Sequence, residues 1–526
     1  MCGIIGLVQA EGVEVNGALP VLAADALTAL QHRGTESAGL VGSNGSDRQH
    51  LDIVKGQGLA RDVFVEENLC KLNENIDEID QHDLQRKIAS VGQICREYFA
   101  LSTVLHEGVG LSTDTDSELI AQMVAKAIGL NYKSRSNHDW GDISKELEVT
   151  MSSLNMSYSL VVMSYDRLYA IRDPYGNRPL CVGTIYNKEK TPATPLAYIA
   201  ASESCALPSS AKLNFEVQPG EIVEVSRKGI RSVYQMKPQS PQAMCIFEYV
   251  YFARNDSIMQ GQQVQTVREQ CGRILAQEKH VDADVVSNVP DSSTSAAIGY
   301  AAQSGIPYEP CLHRNSYVGR SFIQPSNAMR QSAIHKKFGV LRKNVEGRRI
   351  VLIDDSIVRG NTMRILVEML WNAGAKEVSQ HGLPTFHLCS RSKFENSGVL
   401  RKNVEGRRIV LIDDSIVRGN TMRILVEMLW NAGAKEVSQH VHLRIASPPV
   451  KFPCFMGINI PTAEELLASK RNLAEITEHI GATSVEYLSV EGLLKAVQSG
   501  IERRTNFDIG HCTGCLTGKY PVAIDF

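Results

Sequence analysis

Val351-Leu352-Ile353-Asp354-Asp355-Ser356-Ile357-Val358-Arg359-Gly360-Asn361-Thr362 reads as a buried strand that ends in two acids, then a short loop, then the start of a helix. Backbone N–H groups of such a loop and helix start can cradle a phosphate, while Asp354 and Asp355 can accept hydrogen bonds from vicinal hydroxyls. A phosphate and a diol about 5–6 Å apart, the reach of a two-residue step, describe a ribose 5-phosphate. A capping acid pair after a strand is the plainer reading, and Gly360 and Thr362 standing with both acids weigh against it. Beyond the loop, Ile365, Leu366, Met369 and Leu370 follow one helix face and Gly374 stops it, so a helix is expected over 362–373.

Working outward, residues from about 243 onward alternate buried strands with amphipathic helices. Strands are expected at 283–287 and 349–353 and helices at 295–302 and 362–373. That order implies a parallel sheet with crossover helices, a Rossmann-like domain over 243–500. Residues 1–235 read as mostly β, with strands at 159–164, 168–172 and 222–226 and turns at Pro174-Tyr175-Gly176-Asn177 and Gln218-Pro219-Gly220. Two prolines with Ser and Gln place the linker at 236–242. A tail, 501–526, carries a cysteine pair. Residues 339–381 recur unchanged at 398–440. Solenoid repeats drift and need at least three units, so this pair reads as an error of gene prediction or else a recent exon-scale duplication. Using the first copy needs one insertion and using the second needs two, which favours Asp354 and Asp355 over Asp413 and Asp414.

The bulk numbers exclude several classes. A chain of 526 residues exceeds one core, which suggests two large domains. A net charge of −3 gives no attraction for nucleic acid or anionic lipid. No apolar run is long enough to span a membrane and the start lacks a secretory signal, so a cytoplasmic protein is expected, with its 12 cysteines reduced.

Removal of Met1 would expose Cys2, a thiol beside an α-amine whose pKa near 8 lets it act as general base. Met1–Gly6 together with Gln31-His32-Arg33-Gly34-Thr35-Glu36-Ser37-Ala38-Gly39 resembles the N-terminal-nucleophile glutaminase domain of class II amidotransferases. Asp116-Ser117-Glu118 resembles the segment whose aspartate binds the α-ammonium of glutamine. Arg172-Asp173-Pro174-Tyr175-Gly176-Asn177-Arg178-Pro179-Leu180 and Ser202-Glu203-Ser204 match further segments of that domain in the purine enzyme. The Val351 stretch resembles the substrate loop of type I phosphoribosyltransferases. Together these features resemble the amidophosphoribosyltransferase family.

The resemblance implies an αββα glutaminase domain joined to the Rossmann-like domain, with glutamine and phosphoribosylpyrophosphate as substrates. Cys2 is then the nucleophile. Asp116, Arg314, Tyr317, Asp354, Asp355, Ser356, Arg359, Gly360, Asn361 and Thr362 bind substrate, with Asp413, Asp414, Arg418, Gly419 and Thr421 as second-copy counterparts. Ser292, in Pro290-Asp291-Ser292-Ser293, joins Asp354 and Asp355 at a magnesium ion. Cys512-Thr513-Gly514-Cys515 by itself suits zinc, redox or iron–sulfur chemistry equally. With Cys245 and Cys454 the family pattern implies a 4Fe-4S cluster. A homotetramer inhibited by purine nucleotides is also implied.

The chain departs from the pattern as well. Between Val63-Phe64 and Ser112 there is neither the His-Thr-Arg-Tyr segment that clamps the glutamine carboxylate nor the Asn-Gly pair that holds the oxyanion. Residues 73–100 read as an unrelated charged stretch. Losing one oxyanion donor costs roughly 10²–10³ in rate, so little glutaminase activity is expected. Thr35 replaces a usual Gln or Tyr, Ser316 a usual arginine and Arg314 a usual lysine. An ammonia-dependent transferase with a silent glutaminase half, or a nucleotide-sensing regulator, are the alternative readings.

Overall fold

The computed structural model describes residues 3–13, 18–35, 37–43, 52–71, 88–91, 116–131, 142–154, 157–164, 166–188, 192–239, 241–280, 285–288, 290–291, 293–315, 338–346, 350–353, 373, 442–458, 463, 466–475, 484–501 and 509–522. Strands β1 (Ile5–Gln9), β2 (Ser37–Ser43), β3 (Asp52–Gln57), β4 (Ile88–Val91), β5 (Ser159–Met163), β6 (Arg167–Arg172), β7 (Cys181–Asn187), β8 (Thr194–Ala201), β9 (Ala211–Glu216), β10 (Glu221–Ser226) and β11 (Gly229–Gln235) fill the N-terminal half. They form a seven-stranded sheet, β3-β2-β4-β1-β8-β7-β9, and a four-stranded sheet, β11-β10-β6-β5. All pairings within both sheets are antiparallel.

The apolar run at the chain's start explains the layering. Side chains alternate across a strand. Ile5 and Leu7 enter one core with Leu19, Ala23 and Leu27 of the helix Ala18–Ala29. Ile4 and Val8 enter another, with Val161, Leu168, Val223 and Val225 of the second sheet. Gly6 lies between those two, and a Cβ there would stand 2.6 Å from Leu168 Cδ1, so the sheets close on one another at this point. On its outer face the second sheet packs Leu160, Tyr169, Ile171 and Ile222 against Ile120, Val124, Leu147 and Met151 of the helices Asp116–Asn131 and Ser144–Ser152. Helix, sheet, sheet, helix is the expected αββα order. Part of the charged stretch 73–100 belongs to the seven-stranded sheet. Its residues 88–91 are β4, paired with both β1 and β2.

Beyond the linker stand β12 (Met244–Cys245), β13 (Ile258–Met259), β14 (Gln262–Gln263), β15 (Val285–Asn288), β16 (Leu312–Arg314), β17 (Phe338–Val340), β18 (Ile350–Ile353), β19 (His442–Ile445), β20 (Ser484–Tyr487) and β21 (His511–Cys512). β15 runs parallel to β18 and β19 parallel to β20. The expected strands at 283–287 and 349–353 and the helix at 295–302 are found as β15, β18 and Thr294–Ser304. All but Ala373 of the expected helix 362–373, and all of the second copy, lie outside the described residues. Helices Val264–Glu278 and Thr294–Ser304 cross where Gly272 meets Ala296 and Gly299 meets Glu269, each glycine facing a backbone oxygen that an added Cβ would approach to 1.9 Å. Ser489 caps the helix Val490–Gln498, its Oγ accepting from Gly492 N at 2.8 Å.

After β12 the chain enters a π-helical turn, Glu248–Phe252, closed by Ala253 N donating to Glu248 O at 3.0 Å. This turn holds one residue more than an α-helical turn, an arrangement frequent at functional sites.

Candidate functional site

β15 and β18 end side by side, with Asn288 paired to Ile353. The loop entered from Asn288 therefore leaves from the carboxyl edge that Ile353 shares, where open α/β sheets bind their ligands. Asn288 Nδ2 donates to Thr294 Oγ1 at 2.7 Å and Thr294 Oγ1 to Asp291 O at 2.8 Å, which ties the loop to the following helix. Tyr308 OH donates to Asn288 Oδ1 at 2.8 Å from the next segment. Arg314, at the end of β16, reaches the same loop through Nη1 to Asp291 Oδ2 at 2.7 Å. Ser292, Tyr317, Asp354, Asp355, Ser356, Arg359, Gly360, Asn361 and Thr362 lie outside the described residues, as do Asp413, Asp414, Arg418, Gly419 and Thr421.

In the N-terminal half Cys2 also lies outside them, and Asp116 opens the helix Asp116–Asn131. The backbone just after Cys2 is anchored at the Ser202-Glu203-Ser204 segment: Ile4 N donates to Ser202 Oγ at 3.0 Å and Ser202 N returns to Ile4 O at 3.0 Å. Glu203, only 1% exposed, gathers the surrounding donors. Its Oε1 accepts from Arg33 Nη1 and, at 2.8 Å, from His32 Nε2. Its Oε2 accepts from Arg254 N at 2.9 Å and Ser257 Oγ at 2.6 Å. Burial by itself would raise this carboxyl, but the His32 hydrogen bond, the Arg33 charge and the Ser257 hydroxyl hold it well below the usual carboxylate range. The His32-Arg33 motif is thus fastened to residues beyond the linker.

Arg33 continues the network with a two-pronged bond to Glu248, Nη2 to Oε1 at 2.8 Å and Nη1 to Oε2 at 3.0 Å. Arg178 Nη1 donates to the same Oε1 at 3.1 Å. Glu248 is fully buried, and the two arginines that hold it come from different loops of the N-terminal half. The sequence motifs contain Arg33, Arg178 and Glu203 but assign them no role. The available signal is a charge inside an apolar run, such as Glu248 between Phe247 and Tyr249.

The third group is thiol. Cys245 pairs with Cys512 across the parallel β12–β21 bridge. Cys454 and Cys512 share a small apolar cluster with Met456 and Tyr520. Cys515 O accepts from Lys451 N and Phe452 N at 2.9 and 3.0 Å, bringing the Cys454 loop onto the tail. Met456 N points at Cys454 Sγ from 3.4 Å. Three segments far apart in sequence thus bring together the four cysteines singled out. Burial pushes Cys245 up to about 12, and raises Cys512 and Cys515 too; Arg178 opposes the shift at Cys245 and Cys512. Three buried thiols and the half-buried Cys454 form a donor set that a metal centre can use, since binding removes their protons. A single tetrahedral zinc would draw its sulfurs to about 3.8 Å from one another. Among the described residues the group whose ligand atoms all lie within 4.8 Å is instead His32, Glu203 and Cys205. That trio is already committed: a guanidinium and three further donors occupy the carboxylate. A cage larger than one ion therefore suits the four cysteines better.

Among the described residues no helix is long and apolar enough to cross a membrane. No family model matches the chain. It is 39% identical to the amidophosphoribosyltransferase of Mus musculus, the alignment covering 100% of this chain and 98% of that protein. Against the Bacillus subtilis amidophosphoribosyltransferase the identity is 33%, over 99% and 94% of the two chains. Among solved structures, the B. subtilis glutamine phosphoribosylpyrophosphate amidotransferase complexed with ADP and GMP superposes with a TM-score of 0.69 at 32% identity, covering 100% of this chain and 98% of that one. With the layered N-terminal half, the parallel strands beyond the linker and relatives matched end to end, the chain belongs to the amidophosphoribosyltransferase family.

Proposed function

We propose that this chain makes 5-phosphoribosylamine from glutamine and phosphoribosylpyrophosphate, the opening step of purine nucleotide synthesis. The observation that carries this reading is the shared edge of β15 and β18, which sets the start of the 290–291 loop beside Ile353, the residue before Asp354 in sequence. In the proposed mechanism the Cys2 α-amine takes the thiol proton and Sγ attacks the glutamine carboxamide, forming a thioester and releasing ammonia. Asp116 binds the α-ammonium of glutamine. Ammonia then attacks C1 of the ribose and pyrophosphate leaves. Asp354 and Asp355 accept the ribose hydroxyls, while Ser356, Arg359, Gly360, Asn361 and Thr362 cradle the 5-phosphate. Arg314 and Tyr317 belong to the segment proposed to fold over the substrate and exclude water.

Ser292, Asp354 and Asp355 are the proposed holders of Mg²⁺, which when bound offsets charge on the leaving pyrophosphate. Cys245, Cys454, Cys512 and Cys515 are the proposed holders of a 4Fe-4S cluster, which would pin the tail to the linker-proximal strand β12. Purine nucleotides are the proposed inhibitors, supported by ADP and GMP in the bacterial structure. A cytoplasmic homotetramer completes the reading.

A second reading rests on the stretch between Val63 and Ser112, which lacks the clamp and oxyanion motifs. Here ammonium would be the nitrogen source and the glutaminase half would only support the fold. Pyrophosphate release with each nitrogen donor separates the two. Release driven by glutamine supports the full reaction, release driven by ammonium alone supports the second reading, and release with neither overturns both.

A further inference from the structure

The segment Arg172-Asp173-Pro174-Tyr175-Gly176-Asn177-Arg178 belongs to the N-terminal half, yet it lines the cysteine group of the other half. It is locked from within. Arg172 donates to Arg178 O, Val217 O and Gly176 O, each at 2.8 Å. Asp173 accepts from Tyr158 N at 3.2 Å and Tyr175 N at 2.9 Å, and Gly176 takes the turn at φ 63°. From this rigid base the turn reaches across the linker. Ala243 N donates to Tyr175 O at 2.8 Å and Cys245 N to Asn177 O at 3.0 Å. Asn177 Nδ2 donates to Ala243 O at 2.7 Å, while Ser157 Oγ donates to Asn177 Oδ1 at 3.0 Å and fixes the amide's orientation. Cys245, whose N–H Asn177 holds, stands opposite Cys512 across the β12–β21 bridge.

Arg178 completes the lining. Its Nη2 donates at 3.1 Å to Met456 O, two residues past Cys454, and its Nη1 holds Glu248, three residues past Cys245. The guanidinium lies 6.0 Å from the centre of the Phe252 ring, and the residue is 7% exposed. An iron–sulfur cluster held by four thiolates is an anion, and a buried anion needs a partner cation or hydrogen-bond donors. Arg33 already grips Glu248 with two prongs, so Arg178 is not the sole counter-charge of that carboxylate.

We propose that Asn177 and Arg178, carried by the N-terminal half, are positioning residues of the cluster site: Asn177 hydrogen-bonds a cluster thiolate and Arg178 is the cluster's buried counter-cation. The proposal rests on the reading that the four cysteines hold a 4Fe-4S cluster. Cluster potentials respond to nearby charge and to hydrogen bonds on sulfur. Removing either contribution disfavours the more negative, reduced state and lowers the midpoint potential.

The test uses the full chain, reconstituted anaerobically with iron and sulfide, and reads iron and labile sulfide per chain, midpoint potential and cluster lifetime in air. R178Q is expected to load the cluster, shift its midpoint to more negative values and shorten its lifetime several-fold. R178K, which keeps the charge, is expected to restore most of the potential. An R178Q chain with wild-type potential and lifetime overturns the proposal. Should R178Q not fold, Asn177→Ala decides: a negative shift supports the proposal and an unchanged midpoint overturns it. A wild-type chain that takes up no iron or sulfide overturns the cluster reading itself, a result distinct from the others.

Discussion

Glu203 shows how one buried carboxylate can be made favourable by its neighbours. With His32, Arg33, Arg254 and Ser257 all donating to it, Glu203→Gln would strand part of the Arg33 charge and put an amide donor among donors. A loss of about 3–5 kcal/mol is expected, read from the urea midpoint at neutral pH. The pH dependence has a definite sign. A carboxyl held below its ordinary pKa contributes stability that is present above that value and lost as pH falls through and below it. Glu203, ordinarily 4.5, therefore feeds the acid limb. Asp173 acts oppositely: burial pushes it up to about 6 against the Arg172 charge and its backbone donors. Its contribution is fullest below its ordinary 3.8 and declines as pH rises through 6. Urea unfolding across about pH 3.5–7 should show E203Q flattening the acid limb and D173N flattening the window between about 4 and 6. The cysteines were legible because their neighbours form a recognisable pattern. The Arg33–Glu203 and Arg33–Glu248 pairs were not, because their partners lie 170 and 215 positions apart and nothing local to either residue encodes the meeting.

Among the elements, those with a clear period were readable in advance. β5, β6, β10, β15, β18 and the helix Thr294–Ser304 all fall within a few residues of their expected bounds. β4 was not readable, since Ile88-Ala89-Ser90-Val91 is short, sits between charged flanks, and owes its strand conformation to partners on both edges. Tertiary pairing there overrides weak local preference. The crossing of Val264–Glu278 with Thr294–Ser304 depends on glycine. Gly299→Ala would place a methyl against Glu269 O and force the helices apart, so a loss of about 1–3 kcal/mol is expected in thermal unfolding. Ser489→Ala should cost about 1 kcal/mol through the lost cap, a much smaller drop in the same melt.

At the scale of the whole molecule, the halves are joined by more than a linker. Cys2→Ala is expected to abolish pyrophosphate release driven by glutamine while leaving release driven by ammonium within about two-fold of wild type, measured side by side on one preparation. Any glutamine-driven signal that survives the substitution would remove Cys2 from the proposed role.

The π-helical turn at Glu248–Phe252 makes the joint sensitive to residue count as well as residue type. Glu248 faces Arg33 and Arg178 at the start of the turn, and Arg254 and Ser257 face Glu203 just beyond its end. Deleting one residue, such as Val250, would let the segment relax to an ordinary α-helical turn and swing everything downstream by about 100°. The composition would be almost unchanged, but Arg254 and Ser257 would face away from Glu203. The phase of this one turn is therefore a coordinate of the fold: a chain can drift widely in sequence here and keep its two halves in step, while a single-residue change in length throws them out.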